Sequence, residues 1–530
     1  MVGDREIEGA EDLISKLPDV ILQHILCFNI PIKLAISTSL LSRRWRHVWC
    51  ELPSLSFDVH TLTTAASVNE TLNRYTAPKT KSFHLTINYY GMESIPYINR
   101  WIKFAMSHNV ENLSLNLLHH YYVYKFPDVF YSTSSFKQLN IKLCYSLTIA
   151  PECTVSWTSL HKLSLTCRSL SDESMAKILS GCPILENLSL NFPCTYNNYN
   201  YEYKFPDFFY SNSSFKQLSI TLSCRHSVVP ECTVSWTSLQ KLSLRLCRLS
   251  DESMAKILSG CPVLEKLKLY HCGTLNVLDL SKSPRLRALE VIINGKTVRG
   301  PRQIVAPHIH YLRLYDAHLS CTLVDVSSLT EARMEISCVS FKSAFSANLM
   351  QVMGLKMLDT LKKAEKLKLG SSFTQILSLA ELRGVPFPVL KVKTLTLDTK
   401  ISQYVIPGIE RLLQNSPELE KLTVGSRRAR FPKPVEFLDR CLKLQDYNVN
   451  KGWRSKDGAS WNKCCEDLKL EHVASLVELV LKSKEKLDKM VVLLDERYLE
   501  FRTEDLIATL SHHNNVTIVL LSSTNGAVNH

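Results

Sequence analysis

Glycine and long apolar runs are both scarce in this chain of 530 residues. Only 16 glycines are present, and none forms a loop of the kind that cradles a phosphate. No stretch holds 18 uncharged apolar residues, so the sequence predicts no membrane-spanning helix. The opening MVGDREIEGAEDLISKL has acidic residues where a secretory signal has a basic stretch followed by an apolar run. These absences argue against phosphate-loop chemistry, membrane insertion and secretion.

Cysteine pairs with CxxC spacing are also missing. The 17 cysteines are scattered and include no CxxC pair, so neither a disulfide framework nor a zinc finger is indicated. The adjacent Cys464 and Cys465 have no partner pair at finger spacing. We expect reduced thiols, a cytoplasmic or nuclear location, no bound metal and no cofactor.

No set of residues suggests catalysis. HExxH spacing and a nucleophile with a nearby base are absent in any plausible context. Cys182 and Cys261 each lie in a GCP tripeptide and could be nucleophiles, but a small buried thiol before a strand is the favoured interpretation. Trp157 and Trp236 occupy equivalent positions of a repeat and could form an aromatic cage, although packing between repeats is favoured.

The positive charge of the chain is spread thinly. The formal net charge is +13, from 63 basic and 50 acidic side chains. The densest basic clusters, around Arg43 to Arg46 and Arg427 to Arg430, are not interleaved with aromatic residues in the manner of a surface that stacks bases. A surface that stacks nucleic-acid bases needs such interleaving, so nucleic acid is not the expected partner.

The first 50 residues have the pattern of a small helical module. Residues 12 to 28 place apolar side chains at the spacing of one helical face. Pro18 and Asp19 suit the start of that helix. A second helical stretch is predicted at about 31 to 49, where Trp45 and Trp49 lie four residues apart and project from the same side.

Beyond residue 50 the sequence repeats short apolar alternations of the form LxxLxL. Successive clear instances are separated by 24, 25, 30, 24, 25, 22 and 23 residues, which is leucine-rich-repeat spacing. They begin at Phe136, Leu160, Leu185, Phe215, Leu239, Leu264, Leu286 and Ile309. Weaker instances begin at Leu52, Val110, Leu329, Ala364, Val392 and Leu419. Such periods predict a solenoid that stacks one repeat on the next.

Part of this array is duplicated. Residues 125–190 recur almost verbatim at 204–269, an offset of 79 that equals three whole repeats. In each copy DESMAKILSGCP has the pattern of a short helix closed by glycine. We therefore predict an α/β horseshoe in which each repeat is strand, turn and helix, with the strands on the concave side.

The N-terminal pattern by itself could be a cap that shields the first repeat. However, LPDVILQHIL followed by KLAISTSLLSRRWRHVW resembles the F-box of plant proteins. SGCPILENLSL, SGCPVLEKLKL, FPVLKVKTLTL, NSPELEKLTV and EKLDKMVV resemble the repeats and C-terminal part of plant F-box proteins with an FBD region. The resemblance implies an F-box at 10–57, leucine-rich repeats at 80–425 and an FBD-like region at 386–515 that overlaps the last repeats.

The same resemblance implies a function without catalysis. Proteins of this family are substrate-recognition subunits of SCF-type (Skp-cullin-F-box) ubiquitin ligases. The F-box binds a Skp-type adaptor, and through it a cullin, while the repeats bind a protein substrate. The positions that match the adaptor-binding residues are Leu17, Pro18, Ile21, Leu22, Ile25, Leu26, Leu40, Leu41, Trp45 and Trp49.

One departure from the family pattern leaves an alternative open. CFNIPIK has what looks like one additional residue around Asn29 compared with the family's usual SFLPTK. One residue inserted within a helix would rotate everything after it by about 100°. The alternative is therefore a leucine-rich-repeat scaffold that binds a partner outside any ligase.

Overall fold

The structure of the chain is a computed structural model that divides into two compact units, residues 1–226 and 227–530. The residues that it describes are 14, 16–27, 32–88, 95–117, 124–144, 149–193, 205–222, 228–293, 300–316, 321–336, 347–399, 401, 405–425, 470–483, 487–495 and 516–521.

The first unit begins with a small helical module. Its first helix starts directly after Pro18, whose carbonyl accepts hydrogen bonds from the backbone N–H groups of Ile21 and Leu22. The second predicted stretch is not one helix, because it breaks into two short helices and two 3₁₀ turns. The elements are α1 (Asp19–Cys27), α2 (Ile32–Ser37), a 3₁₀ turn (Thr38–Leu40), α3 (Trp45–Val48) and a 3₁₀ turn (Trp49–Glu51).

The strands of the first unit pair in parallel, and strands that follow one another in sequence lie side by side. Its described strands are β1 (Ser54–Val59), β2 (Ser82–Ile87), β3 (Asn112–Leu117), β4 (Gln138–Leu143), β5 (Lys162–Thr166), β6 (Asn187–Asn191) and β7 (Gln217–Thr221). Its further described helices are α4 (Leu62–Arg74), α5 (Ile95–Ser107), α6 (Asp128–Tyr131), α7 (Asp172–Ser180) and α8 (Asp207–Tyr210).

The second unit continues the pattern, because its neighbouring strands also pair in parallel. Its described strands are β8 (Lys241–Arg245), β9 (Lys266–Tyr270), β10 (Val277–Asp279), β11 (Ala288–Ile293), β12 (Gln303–Val305), β13 (Tyr311–Asp316), β14 (Thr322–Asp325), β15 (Glu331–Ile336), β16 (Lys366–Gly370), β17 (Thr394–Asp398), β18 (Lys421–Gly425), β19 (Lys489–Asp495) and β20 (Val516–Leu521). Its described helices are α9 (Asp251–Ser259), α10 (Ala347–Thr360), α11 (Ser371–Leu382), α12 (Ile406–Gln414) and α13 (Leu470–Ser483).

The LxxLxL motifs correctly predict where these strands start. Every motif found in the sequence is followed, two residues after its first position, by the start of a strand. In β4, for example, Leu139, Ile141 and Leu143 are buried while the residues between them are exposed. The predicted mixed α/β fold with stacked parallel strands is therefore confirmed.

The second layer differs between repeats, so the prediction of a helix in each repeat is wrong. After β9, β11 and β13, the strands β10, β12 and β14 replace the helix and pair in parallel as a separate small sheet. In both copies of the duplication a helix is present, and its first turn is capped by serine. The Ser171 hydroxyl accepts from the Ser174 N–H at 3.2 Å, and the Ser250 hydroxyl accepts from the Ser253 N–H at 3.1 Å. These caps satisfy an N–H that the helix leaves unpaired.

Each of these two helices ends at a glycine, because the segment that contains Val234 or Val155 lies too close to leave room for a side chain. A Cβ added to Gly260 would lie 2.7 Å from the Val234 Cβ, and one added to Gly181 would lie 2.7 Å from the Val155 Cβ. We expect Gly260→Ala and Gly181→Ala each to lower the free energy of unfolding by about 1–3 kcal/mol, because the backbone must shift. Urea denaturation of the full chain would measure this loss.

The neighbouring serine provides a matched control for this prediction. Ser259 is exposed at the last position of α9, and Ser259→Ala should change stability by less than about 0.5 kcal/mol. Equal stability of the Gly260→Ala and Ser259→Ala variants would contradict the argument from close approach.

Candidate docking site on the N-terminal module

The helical module has a filled interior of its own. Eight buried residues form one cluster, and Leu17, Cys27, Ile32 and Ile36 pack against it while partly exposed. The eight are Leu22, Leu26, Ala35, Trp45, Val48, Trp49, Cys50 and Leu52. Because these side chains come from all three helices of the module and from the 3₁₀ turn Trp49–Glu51, the helices hold one another in place without a partner.

Two further sets of contacts hold the module. The Arg44 guanidinium, from the turn before α3, donates to the Asp19 carboxylate at 2.7 Å and to the Leu17 carbonyl, at the start of α1. At the other end of the module, the Cys50 carbonyl accepts from the Thr76 N–H at 3.0 Å. These bonds tie the two helical stretches together and join the module to the first repeat.

Around this interior the module leaves an unusual amount of apolar surface exposed. Among the described residues, seven of fifteen large exposed hydrophobic side chains lie between positions 14 and 41. They are Ile14, Val20, Ile21, Ile25, Leu34, Leu40 and Leu41, and the exposed fraction reaches 89% at Leu40. We call these seven residues the apolar patch. Concentrated apolar exposure of this kind marks surfaces that bind another macromolecule.

The ten residues predicted for adaptor binding divide by burial. Pro18, Ile21, Ile25, Leu40 and Leu41 are exposed, and Leu17 is half-buried. The other four are buried in the interior of the module, namely Leu22, Leu26, Trp45 and Trp49. Because a side chain that already packs inside the module offers little surface, these four contribute chiefly to its interior in this conformation.

The structure also adds residues that the sequence prediction missed. Val20 and Leu34 are exposed by 72% and 58%, yet neither is among the ten residues that the match to the F-box motif selected. The signal that could have found Val20 is the DVIL run, in which three consecutive apolar residues cannot all face one side of a helix. The junction around Asn29 lies outside the described residues, as do the basic cluster at 427–430 and the pair at 464–465.

The two cysteines considered as nucleophiles are inert in this environment. Cys182 and Cys261 are each 2% exposed, and burial raises the pKa of each thiol to about 12. At neutral pH both thiols are therefore protonated, and the thiolate is the nucleophilic form. Within the described ranges no three His, Cys, Asp or Glu residues are grouped closely enough to hold a metal ion.

Trp157 and Trp236 form no open cage, because both are 0% exposed. The Trp157 indole N–H donates to the Phe130 carbonyl at 2.9 Å, and its ring stacks on Tyr131 at 6.0 Å between centroids. The interpretation of these tryptophans as packing residues is confirmed. No helix in the part of the chain that the structure describes is long and apolar enough to cross a membrane.

Comparison with known proteins gives one consistent result. A family model described as FBD-associated F-box protein At5g56370, LRR repeats, matches residues 98–197 and 190–424. The Arabidopsis thaliana F-box/LRR-repeat protein At3g18150 is 46% identical over 517 residues, which cover 97% of this chain and 93% of the relative. F-box/LRR-repeat protein At5g02910 of Arabidopsis thaliana is 40% identical over 533 residues, which cover 99% of this chain and 97% of the relative.

A helical module with exposed apolar surface, joined directly to stacked parallel-strand repeats, defines a leucine-rich-repeat protein with a separate N-terminal helical module. Among such proteins, this chain belongs to the plant F-box/LRR-repeat family with FBD-associated members.

Proposed function

We propose that this chain is the substrate-recognition subunit of an SCF-type ubiquitin ligase. The N-terminal module binds a Skp-type adaptor and through it a cullin, and the repeats bind a protein substrate. The observation that supports this most directly is the apolar patch, because the module exposes it although its own interior is already filled. The free energy falls when a partner removes exposed apolar side chains from water.

Within this proposal the ten predicted residues have two roles. Ile21 and Ile25 lie four positions apart on α1 and share one side of it. Leu40 is the last residue of the 3₁₀ turn Thr38–Leu40, and Leu41 follows it directly. These exposed residues, with Pro18 and Leu17, make the adaptor contact. Leu22, Leu26, Trp45 and Trp49 hold the module in the shape that presents them. Full burial of one such aliphatic side chain contributes about 1.5–3 kcal/mol, so a few are enough for stable binding.

The chain itself catalyses no bond change in this proposal. It raises the effective concentration of a substrate lysine near the activated ubiquitin that other subunits carry. The protonated, buried Cys182 and Cys261 are compatible with a subunit that does not act as a nucleophile. We place this activity in the cytoplasm or nucleus.

The test is co-expression of the full chain with a plant Skp-type adaptor, followed by size-exclusion chromatography. We expect the wild-type chain to co-elute with the adaptor. We expect the double variant Leu40→Asp, Leu41→Asp to lose at least about 100-fold in affinity, because two apolar contacts are replaced by charges that binding would desolvate. Both side chains are exposed, at 89% and 69%, so the module should stay folded.

Two exposed valines outside the module supply the matched control. Val352 and Val389 are 60% and 63% exposed, and Val352→Asp combined with Val389→Asp should leave co-elution unchanged. A folded wild-type chain that does not co-elute would overturn the proposal. The remaining interpretation would then be a leucine-rich-repeat scaffold that binds its partner outside a ligase.

A further inference from the structure

The outward positions of the strands differ sharply in charge between the two units. In the first unit, the outward positions of β1 to β7 carry almost only Ser, Thr, Asn and Gln. The charged residues at these positions are Asp58, Lys142 and Lys162. In the second unit, the outward positions of β8, β9, β11, β13 and β15 to β18 hold nine basic and four acidic residues. They are Lys241, Arg245, Lys266, Lys268, Arg313, Arg333, Lys366, Lys368 and Lys421, with Glu290, Glu331, Glu335 and Asp398.

The centre of this second face is a row of five charged residues on five adjacent strands, which we call the charged row. The strand register places Lys268 beside Glu290, Glu290 beside Arg313, Arg313 beside Arg333, and Arg333 beside Lys368. Neighbouring strands are about 4.8 Å apart, so the row extends over about 19 Å. About six residues of extended peptide cover the same length.

The single acid of the row serves to order its cations. Glu290 is only 5% exposed, and its carboxylate contacts Lys266 at 2.8 Å, Lys268 at 3.2 Å and Arg313 at 4.0 Å. Burial acts to raise the pKa of Glu290, but hydrogen bonds from Lys266 and Lys268 outweigh it and hold the pKa below the usual range. An ionised Glu290 therefore fixes three cations at the surface and leaves the row with excess positive charge.

Aromatic rings and flanking acids position the remaining cations. The Arg333 guanidinium lies 5.4 Å from the ring centroid of Tyr311 and donates to Glu331 at 2.9 Å. Lys368 contacts Asp398 at 2.8 Å. The side chains of the four basic residues in the row still retain exposed fractions of 33% to 48%. Cations that are ordered yet accessible lose little entropy when they bind an anion.

We infer that the charged row of the second unit binds an acidic, extended segment of the substrate protein. This inference rests on the proposed function, because it names the class of substrate that the repeats recognise. Excess positive charge in a fixed row favours carboxylate side chains over neutral ones. The nearly uncharged face of the first unit has no such preference.

The test uses the full-length chain without adaptor, so that it is independent of the co-elution experiment. The probe is a fluorescein-labelled hexaglutamate peptide, and binding is measured by fluorescence anisotropy at low ionic strength. Hexaglutamine is the neutral comparison, and hexauridylate presents phosphates in place of carboxylates. We expect hexaglutamate to bind, hexaglutamine not to bind, and added salt to weaken the complex.

Matched double variants locate the site. Arg313→Gln with Arg333→Gln should weaken hexaglutamate binding about tenfold, because two contacts with the acidic peptide are lost. Lys142→Gln with Lys162→Gln removes the same charge from the first unit and should have no effect. If thermal unfolding shows that the first pair destabilises the chain, Lys268→Gln with Lys368→Gln tests the same row and should weaken binding to a similar extent.

Three results would overturn the inference. One is equal binding of hexaglutamate and hexaglutamine to the wild-type chain. Another is equal loss of binding in the control pair and in the charged-row pairs. The third is tighter binding of hexauridylate than of hexaglutamate, which would indicate a nucleic-acid partner. Co-elution with the adaptor could succeed in each case, so failure here differs from failure of the proposed function.

Discussion

Replacement of Leu22 by aspartate is expected to unfold the N-terminal module, whereas the same replacement at Ile21 is expected to leave it folded. Leu22 is 0% exposed and lies in the cluster that fills the module, while Ile21 is 45% exposed. An ionised carboxylate at position 22 would be buried without a partner, which should cost at least about 4 kcal/mol. At position 21 it would remain in water, and the cost should be below about 0.5 kcal/mol.

Hydrogen exchange of the described residues of the module, 16–27 and 32–52, measures this difference directly. Leu22→Asp should remove protection throughout this segment and leave the strands of the repeats protected. Ile21→Asp should preserve the protection and, under the proposed function, weaken adaptor binding. Intact protection in Leu22→Asp would mean that the module does not depend on the interior described above.

Trp157→Ala is expected to be the most destabilising substitution in the duplicated repeats. The side chain is 0% exposed, its ring contacts Phe130 and Tyr131, and its N–H satisfies the Phe130 carbonyl. Removal of the ring leaves a cavity and an unpaired carbonyl, so the free energy of unfolding should fall by about 3–5 kcal/mol. Trp236→Ala, at the equivalent position of the second copy, should have an effect of similar size.

Urea denaturation followed by circular dichroism would measure these losses. Trp157→Phe keeps an aromatic ring but loses the hydrogen bond, and its stability should fall between those of the wild type and Trp157→Ala. The control is Val129→Ala in α6, because Val129 is 42% exposed and its truncation should cost less than about 0.5 kcal/mol. A Trp157→Ala variant as stable as this control would show that the ring does not hold the repeats together.

Most strands of the repeats were predictable because one short motif marks both the start of the strand and the side chains that point inward. Alternate apolar residues point inward, and the constant offset of two residues between motif and strand appears in both units. β2 was missed because its motif starts with Thr80 in place of an apolar residue. β19 and β20 follow segments where the repeat period is lost, so no spacing marked them as further strands.

The second layer was only partly predictable. The helix of DESMAKILSGCP has a start signal, an apolar face and a closing glycine, and both copies form it. The repeats that begin at Leu264 and Leu286 are only 22 and 23 residues long, and strands of three residues follow β9 and β11 in place of a helix. A shorter connection leaves less chain for a helix. The sequence pattern alone, however, did not show which repeats have a helix and which have a short strand.

At the candidate docking site, the sequence was also not enough to predict which individual apolar residues are buried. Helical spacing placed Ile21, Leu22, Ile25 and Leu26 together as one apolar face. In the structure, Leu22 and Leu26 face inward and Ile21 and Ile25 face outward. The reason is that a wide apolar stripe can include side chains that pack inside the module and side chains that stay exposed. Both kinds recur with the same helical spacing, so the spacing does not separate them.

The sequence by itself determined the order of the modules, the starts of most strands and the alternation of buried and outward residues, because each depends on local spacing. Tertiary structure decided which apolar side chains stay exposed and which charges meet. Lys268, Arg313 and Lys368 are far apart in the chain, and only the register of parallel strands aligns them in one row. Local spacing specifies the direction of a side chain, whereas its neighbours depend on how the repeats stack.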